Sequence, residues 1–124
     1  MDKRKVFRYR QFPVYQKIRI YRRKIIQLFN SLPLVEKRRL VDQGLRAINS
    51  ACLNIAEGSN KPTDKEFAQF LNRSLTSLEE VASVLDMCFD DRYLSLIKYN
   101  NLSTELANLA EELLKFERSL RKQH

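Results

Sequence analysis

Glycine, proline, cysteine and histidine are all scarce in this 124-residue chain: Gly 2, Pro 3, Cys 2 and His 1, with no tryptophan. Gly44 and Gly58 are too few and too far apart for a glycine-rich phosphate loop. The single histidine, His124, leaves almost no material for histidine-based triads or histidine-ligated metal centres. Cys52 and Cys88 are widely separated, each inside an apolar periodic segment. They read as small buried hydrophobes, not as a C-x-x-C pair. No window approaches about 18 uninterrupted apolar residues, and Met1 to Arg10 is charged from the second residue onward. A soluble cytoplasmic protein without a membrane partner is therefore expected, with no catalytic residue, no metal and no cofactor nominated.

What is present is charge and apolar periodicity. Lys+Arg number 23 against 15 Asp+Glu, a formal charge of +8, and 44% of residues are hydrophobic. A chain of this length buries roughly two-thirds of the surface its unfolded form exposes, so one core suffices without disulfide or metal staples. The apolar residues recur at steps of three and four, the helical period. From Pro13, a favoured first-turn residue, Val14, Ile18, Tyr21, Ile25, Leu28 and Leu32 predict helix one, stopped by Pro33. Val41, Leu45, Ile48, Cys52 and Ile55 predict helix two, about 24 residues long, with Gly58 as a left-handed C-terminal cap. Thr63-Asp64-Lys65-Glu66 has the S/T-x-x-E form in which hydroxyl and carboxylate each satisfy a free backbone N–H. It opens helix three, whose stripe is Phe67, Leu71, Ser74, Leu78, Val81, Leu85 and Cys88. Asp90 and Asp91 oppose the helix dipole where that stripe ends. From about Tyr93, the residues Tyr99, Leu102, Leu106, Leu109, Leu113, Phe116 and Leu120 predict helix four.

Four such helices with short connections imply an all-α fold, an antiparallel up-down-up-down four-helix bundle over residues 12–124. Residues 1–11 lack periodicity and read as a flexible basic arm.

Two features go beyond a plain bundle. Residues 1–46 hold 14 Lys and Arg against 3 Asp and Glu, whereas residues 47–124 hold 9 against 12. Lys3, Arg4, Lys5, Arg8 and Arg10, interleaved with Phe7 and Tyr9, lead into a helix bearing Arg19, Arg22, Arg23 and Lys24 on its solvent side. Cations with interleaved aromatics suit phosphates and stacked bases; a solvated face that only keeps the chain soluble is the plainer reading. The second feature is a stripe on helix two, opposite its apolar one: Gln43, Arg46, Ser50, Asn54 and Glu57, flanked by Ala47 and Ala51. Small residues let another helix approach closely, and helix three carries Phe70, Ser77, Glu80, Val84 and Met87 off its main stripe. Self-association is the expected use. Gly44, inside helix two, costs about 1 kcal/mol relative to Ala: either a neighbour packs closely there or the cost is simply tolerated.

The segment Arg46-Ala47-Ile48-Asn49-Ser50-Ala51-Cys52-Leu53-Asn54-Ile55-Ala56-Glu57-Gly58 resembles the signature of the bacterial 23S rRNA intervening-sequence proteins. That family is related to the accessory variability determinants of diversity-generating retroelements. Asn54 to Gly58 match its most recognisable stretch, and Phe67, Phe70, Leu71, Ser77, Leu78 and Glu80 match the following helix. The chain departs from the pattern at Gly44, Arg73 and Thr76. The resemblance covers about residues 12 to 120. It implies a bundle that assembles as a ring-like homopentamer with a basic surface, and, in the retroelement branch, a nucleic-acid-binding partner of a reverse transcriptase.

Three classes of function are thus in view. The first is a non-enzymatic oligomeric module that binds nucleic acid, RNA above all, through the basic residues named. Here Arg46, Ser50, Asn54, Glu57, Gly58 and Glu80 organise the bundle or its oligomer, with Arg46 and Glu80 as a charged contact. The second is an adaptor for a protein such as a reverse transcriptase, and the third is an enzyme. For the third, only Asp86 and Asp90 among the clustered acids share a helix face, and no Glu-x-x-His motif completes a di-iron site.

Overall fold

The computed structural model describes residues 5–33, 35 and 37–122. Among them there is no strand, and four long helices carry the fold: α1 (Pro13–Asn30), α2 (Asp42–Ser59), α3 (Asp64–Asp90) and α4 (Leu96–Lys122). Each helix packs against the next, and α1 closes the ring onto α4. Cross-helix partners fix the directions. Arg22 meets Asn49 and Phe29 meets Gly44; Ser50 meets Ser77 and Gln43 meets Glu80; Phe67 meets Phe116 and Asp86 meets Tyr99; Lys17 meets Glu112 and Lys24 meets Glu105, so every adjacent pair is antiparallel. This is the expected up-down-up-down bundle. No helix among the described residues is long and apolar enough to cross a membrane.

Local chemistry accounts for most helix ends. Pro13 occupies the first turn of α1, where its missing N–H costs nothing. At α3, Thr63 Oγ1 accepts the Glu66 N–H at 3.2 Å. The Glu66 carboxylate accepts the Thr63 hydroxyl at 3.0 Å in place of a backbone N–H, so only the threonine half of the expected reciprocal cap forms. α3 ends at Asp90, as the acidic pair suggests. α4 begins at Leu96, slightly later than its periodicity implies, because Ser95 Oγ accepts the Lys98 N–H at 3.1 Å and caps it.

The core is a single cluster in which Ile18, Tyr21, Ile25, Phe29, Ile48, Ile55, Phe67, Leu71, Leu78, Leu85 and Leu113 are completely or almost completely buried. Phe12, Phe67 and Phe116 close one end, with ring centres 5.1–5.8 Å apart. Cys52 and Cys88 are both buried and are not joined in a disulfide. Tyr21 donates its hydroxyl to the Leu102 carbonyl at 2.9 Å, and burial pushes its pKa far above the ordinary value.

Three details correct the sequence reading. α2 starts at Asp42, not soon after Pro33, and is preceded by a π-helical stretch, Lys37–Val41. Gly58 is not a left-handed cap: no described glycine has positive φ, and α2 runs on to Ser59 before Asn60 ends it in a right-handed conformation. Glycine is required at 58 because a Cβ there would sit 2.5 Å from Phe70 Cβ and 2.9 Å from a Phe67 ring carbon. Finally, part of the expected arm is folded, since Arg8–Gln11 forms a 3-10 turn and Tyr9 packs against the core.

Candidate nucleic-acid interface

The basic residues nominated from the sequence divide into three groups. Lys3 and Arg4 lie outside the described residues. Arg8 and Lys24 are engaged within the fold. Arg8 Nε donates to the Ser59 carbonyl at 2.9 Å, and its guanidinium lies 5.2 Å from the centre of Phe67 and 5.9 Å from that of Phe12. It ties the N-terminal turn to the end of α2. Lys24 pairs with Glu105 at 3.0 Å, as its neighbour Lys17 pairs with Glu112 at 2.9 Å. Both pairs lie along the α1–α4 seam and cancel the positive charge of that flank.

The third group faces the other side. Arg19, Arg22 and Arg23 line a shallow depression with Gln16 and Ile20. Arg22 Nε donates to Asn49 Oδ1 at 2.6 Å, which orients its guanidinium over the α1–α2 seam. Arg19 stacks over the Tyr15 ring at 5.7 Å, and Arg10 lies over Phe7 at 4.7 Å. Lys5, Arg10, Arg19 and Arg23 are exposed. Gln16 donates through Nε2 to the Arg10 carbonyl, joining the N-terminal turn to α1. Among the described residues no carboxylate is paired with Arg10, Arg19, Arg22 or Arg23.

Titration at this face is set mainly by burial. Burial raises the Tyr15 pKa, with Cys52 adding to the rise and Arg19 opposing it. Cys52 is likewise raised by burial against the pull of Arg22 and Arg19, so its thiol stays protonated at neutral pH. The face therefore presents guanidinium groups and aromatic rings, and Cys52 lies buried in the core beneath it.

The small and polar stripe of α2 is partly used inside the bundle itself. Ala47 and Ala51 are buried, Ser74 donates its hydroxyl to the Ala51 carbonyl at 2.7 Å, and Ser77 Oγ lies 2.9 Å from Ser50 Oγ. The helix brought close by these small side chains is α3 of the same chain. Asn54 Nδ2 turns back onto the Ser50 carbonyl at 2.9 Å and its hydroxyl at 3.0 Å. Glu80 accepts from Gln43 Nε2 at 3.3 Å, while Arg46 and Glu57 are exposed along the outer edge. Gly58, the last motif residue, is buried beneath Phe67 and Phe70. Of the acidic pair on α3, Asp86 accepts the Tyr99 hydroxyl at 2.6 Å, a contact between the ends of two helices.

Two residues at the interface escaped the sequence reading, Tyr15 and Asn49. Tyr15 stands four before Arg19 on α1, the spacing at which side chains on one helix face meet, so that pair was readable. Asn49 was not, because its role depends on where α1 lies against α2.

The model of the family described as 23S rRNA-intervening sequence protein matches residues 10–115. The chain belongs to that family. The same fold is seen in a solved structure from Bacteroides thetaiotaomicron VPI-5482, described as a protein with unknown function from the S23 ribosomal protein family. It is 21% identical, covers 84% of this chain and 97% of its own, and superposes with a TM-score of 0.76. No curated protein matches. Within Asn54–Gly58, Ile55 and Gly58 are buried, Gly58 against α3, while Asn54 turns back onto Ser50 and Glu57 stays exposed.

Proposed function

We propose that this chain is a non-enzymatic nucleic-acid-binding module, with RNA as its ligand, that grips phosphates through Lys5, Arg10, Arg19, Arg22 and Arg23. One observation carries the reading: the positive charge is one-sided. Lys17 and Lys24 are neutralised by Glu112 and Glu105 on the α4 flank, whereas the arginines on the α2 flank have no described carboxylate partner. Arginine is the side chain suited to phosphate, since its planar fork donates two parallel hydrogen bonds. The family description, which refers to an intervening sequence of ribosomal RNA, is in keeping with RNA as the ligand.

Self-association belongs to the same proposal. A ring of five copies, as the family resemblance implies, multiplies weak phosphate contacts into useful avidity. Val35, Met87, Leu96 and Ile97 are exposed apolar side chains at or near the end of the bundle opposite the N-terminal turn, and they offer area for such contacts away from the arginines.

Fluorescence anisotropy with a labelled structured RNA, titrated at increasing salt, tests the reading. Binding that weakens steeply with salt is the expected result; absence of salt-dependent binding overturns it. Light scattering on a size-exclusion column, before and after nuclease treatment, checks the assembly. A salt-sensitive complex with another protein that survives nuclease would favour an adaptor instead.

A further inference from the structure

Outside the core, three aromatic rings and two guanidinium groups form one continuous strip. The Phe7 and Tyr9 ring centres are 6.4 Å apart with planes at 71°, and those of Tyr9 and Tyr15 are 5.0 Å apart at 72°. Arg10 lies over Phe7 and, at 5.8 Å, over Tyr9, while Arg19 lies over Tyr15. Edge-to-face rings leave much of each other's faces uncovered, unlike the stacked Phe12 and Phe67 inside the bundle. Phe7 stays 58% exposed even with Arg10 on it.

The presentation of Phe7 is built. Its φ of 56° is left-handed, a conformation rare for a bulky residue. The turn around it is closed by Arg8 N–H donating to Lys5 O at 3.1 Å and Arg10 N–H donating to Phe7 O at 3.2 Å. Arg8, anchored on Ser59, holds that turn against α2. An exposed ring on a strained, anchored backbone is the kind of outlier from which function is inferred.

Beside the strip runs a groove of about 530 Å³ between the N-terminal turn and α2, where the apolar Val6, Phe7 and Leu53 stand among the polar Lys5, Glu57 and Ser59. Its chemistry sorts the parts of a nucleotide. The carboxylate of Glu57 repels a phosphate but accepts a hydrogen bond from a base's exocyclic amine, and the apolar side chains and ring faces suit a flat base. Phosphates are drawn to Lys5 in the groove and outward to Arg10 and Arg19. Arginine stacked on a ring still offers its in-plane N–H groups to an anion.

We infer that the strip and groove take unpaired nucleotides, with bases laid against Phe7 and Tyr9 and the backbone on Lys5, Arg10 and Arg19. In a duplex the bases are already stacked and paired, and their faces are closed to such a site. This rests on the nucleic-acid reading above and narrows it to single-stranded segments: loops, bulges and ends.

The test is anisotropy at one salt concentration with the full chain, using an unstructured oligoribonucleotide and a hairpin duplex of equal length. The wild type binds the unstructured probe more tightly. Phe7→Ala weakens that binding by about fivefold or more and changes duplex binding by less than about twofold, while Phe7→Tyr retains both. Circular dichroism confirms that the exposed substitution leaves the bundle folded. A 2-aminopurine base in the unstructured probe is quenched on binding to wild type and not to Phe7→Ala. Equal, salt-sensitive binding to both probes that ignores Phe7→Ala overturns this inference and leaves the general one standing. No binding to either probe removes both.

Discussion

At Gly58 the obstacle to any side chain is Phe70 Cβ, an atom fixed to its own backbone. It cannot rotate away, so α3 itself must shift. Gly58→Ala is expected to destabilise the bundle by about 1–3 kcal/mol through overpacking, although alanine regains about 1 kcal/mol of helix propensity. Gly44 differs in kind. A Cβ there meets the far edge of the Phe29 ring, with Cε2 at 2.5 Å, and Val84 Cγ1 at 3.3 Å. Ring atoms can tilt, so Gly44→Ala costs less than Gly58→Ala, and its cost shrinks in a Phe29→Leu background. Urea unfolding of the single and double variants measures both. Tyr21 supplies a pH prediction at the same scale. Burial raises its pKa above the ordinary 10.0, so the folded state holds the proton more tightly than the unfolded one. The resulting stability is present in full below pH 10 and is lost as pH rises above it. Tyr15, Cys52 and Tyr99, also raised, act with the same sign. Tyr21→Phe is expected to remove about 0.5–1.5 kcal/mol near pH 8 and to flatten the alkaline decline, read from urea midpoints between about pH 8 and pH 11.

Among the elements, the α2–α3 seam depends most on residue size. Ser74 is fully buried with its hydroxyl on the Ala51 carbonyl. Ser74→Val is therefore expected to cost about 1–3 kcal/mol by wedging the helices apart, and Ser74→Ala at most about 1.5 kcal/mol; thermal unfolding separates the two. The same seam shows how far the sequence was legible. Helical periodicity depends on each helix alone, so Val14 to Leu28 and Phe67 to Cys88 revealed their elements and their buried faces. The stripe of Ala47, Ser50 and Ala51 revealed that a helix approaches closely. It could not reveal which, because small residues admit a helix from the same chain or another equally well. The fate of the cations was hidden for a related reason. Arg8, Arg22 and Lys24 look alike in sequence, and only the positions of Ser59, Asn49 and Glu105 decide that one is an anchor, one a donor held over the α1–α2 seam, and one neutralised. Gly58 misled for the opposite reason: a glycine near a helix end suggests a left-handed cap, whereas the packing of Phe70 demanded the same residue without that geometry.

For the whole molecule, the division of charge makes a prediction that separates specific basic residues from basicity in general. Removing one side chain that neutralises a phosphate should lower the slope of log affinity against log salt by about 0.7–0.9. Arg23→Gln is expected to lower it by that amount. Lys24→Gln, which removes the same formal charge from the next residue, is expected to change it little, because Glu105 already screens that lysine. Titrations of both variants at several salt concentrations decide between these outcomes.

The uneven packing of the four helices has a consequence for how the chain folds and what a ligand does to it. α2 against α3 and α3 against α4 form extensive seams between neighbours in sequence, whereas α1 touches α2 and α4 less extensively and reaches Leu102 from Tyr21 across 81 residues. Contacts closed by short loops form early, so α1 is expected to dock last and to open most readily once the bundle has formed. Its amides should therefore exchange with solvent faster than those of α3. Arg19, Arg22 and Arg23 stand on that same helix. Any ligand gripped by them favours the docked form over the open one, so bound RNA would act as the final clasp of the fold, slowing exchange in α1 while leaving α3 almost unchanged.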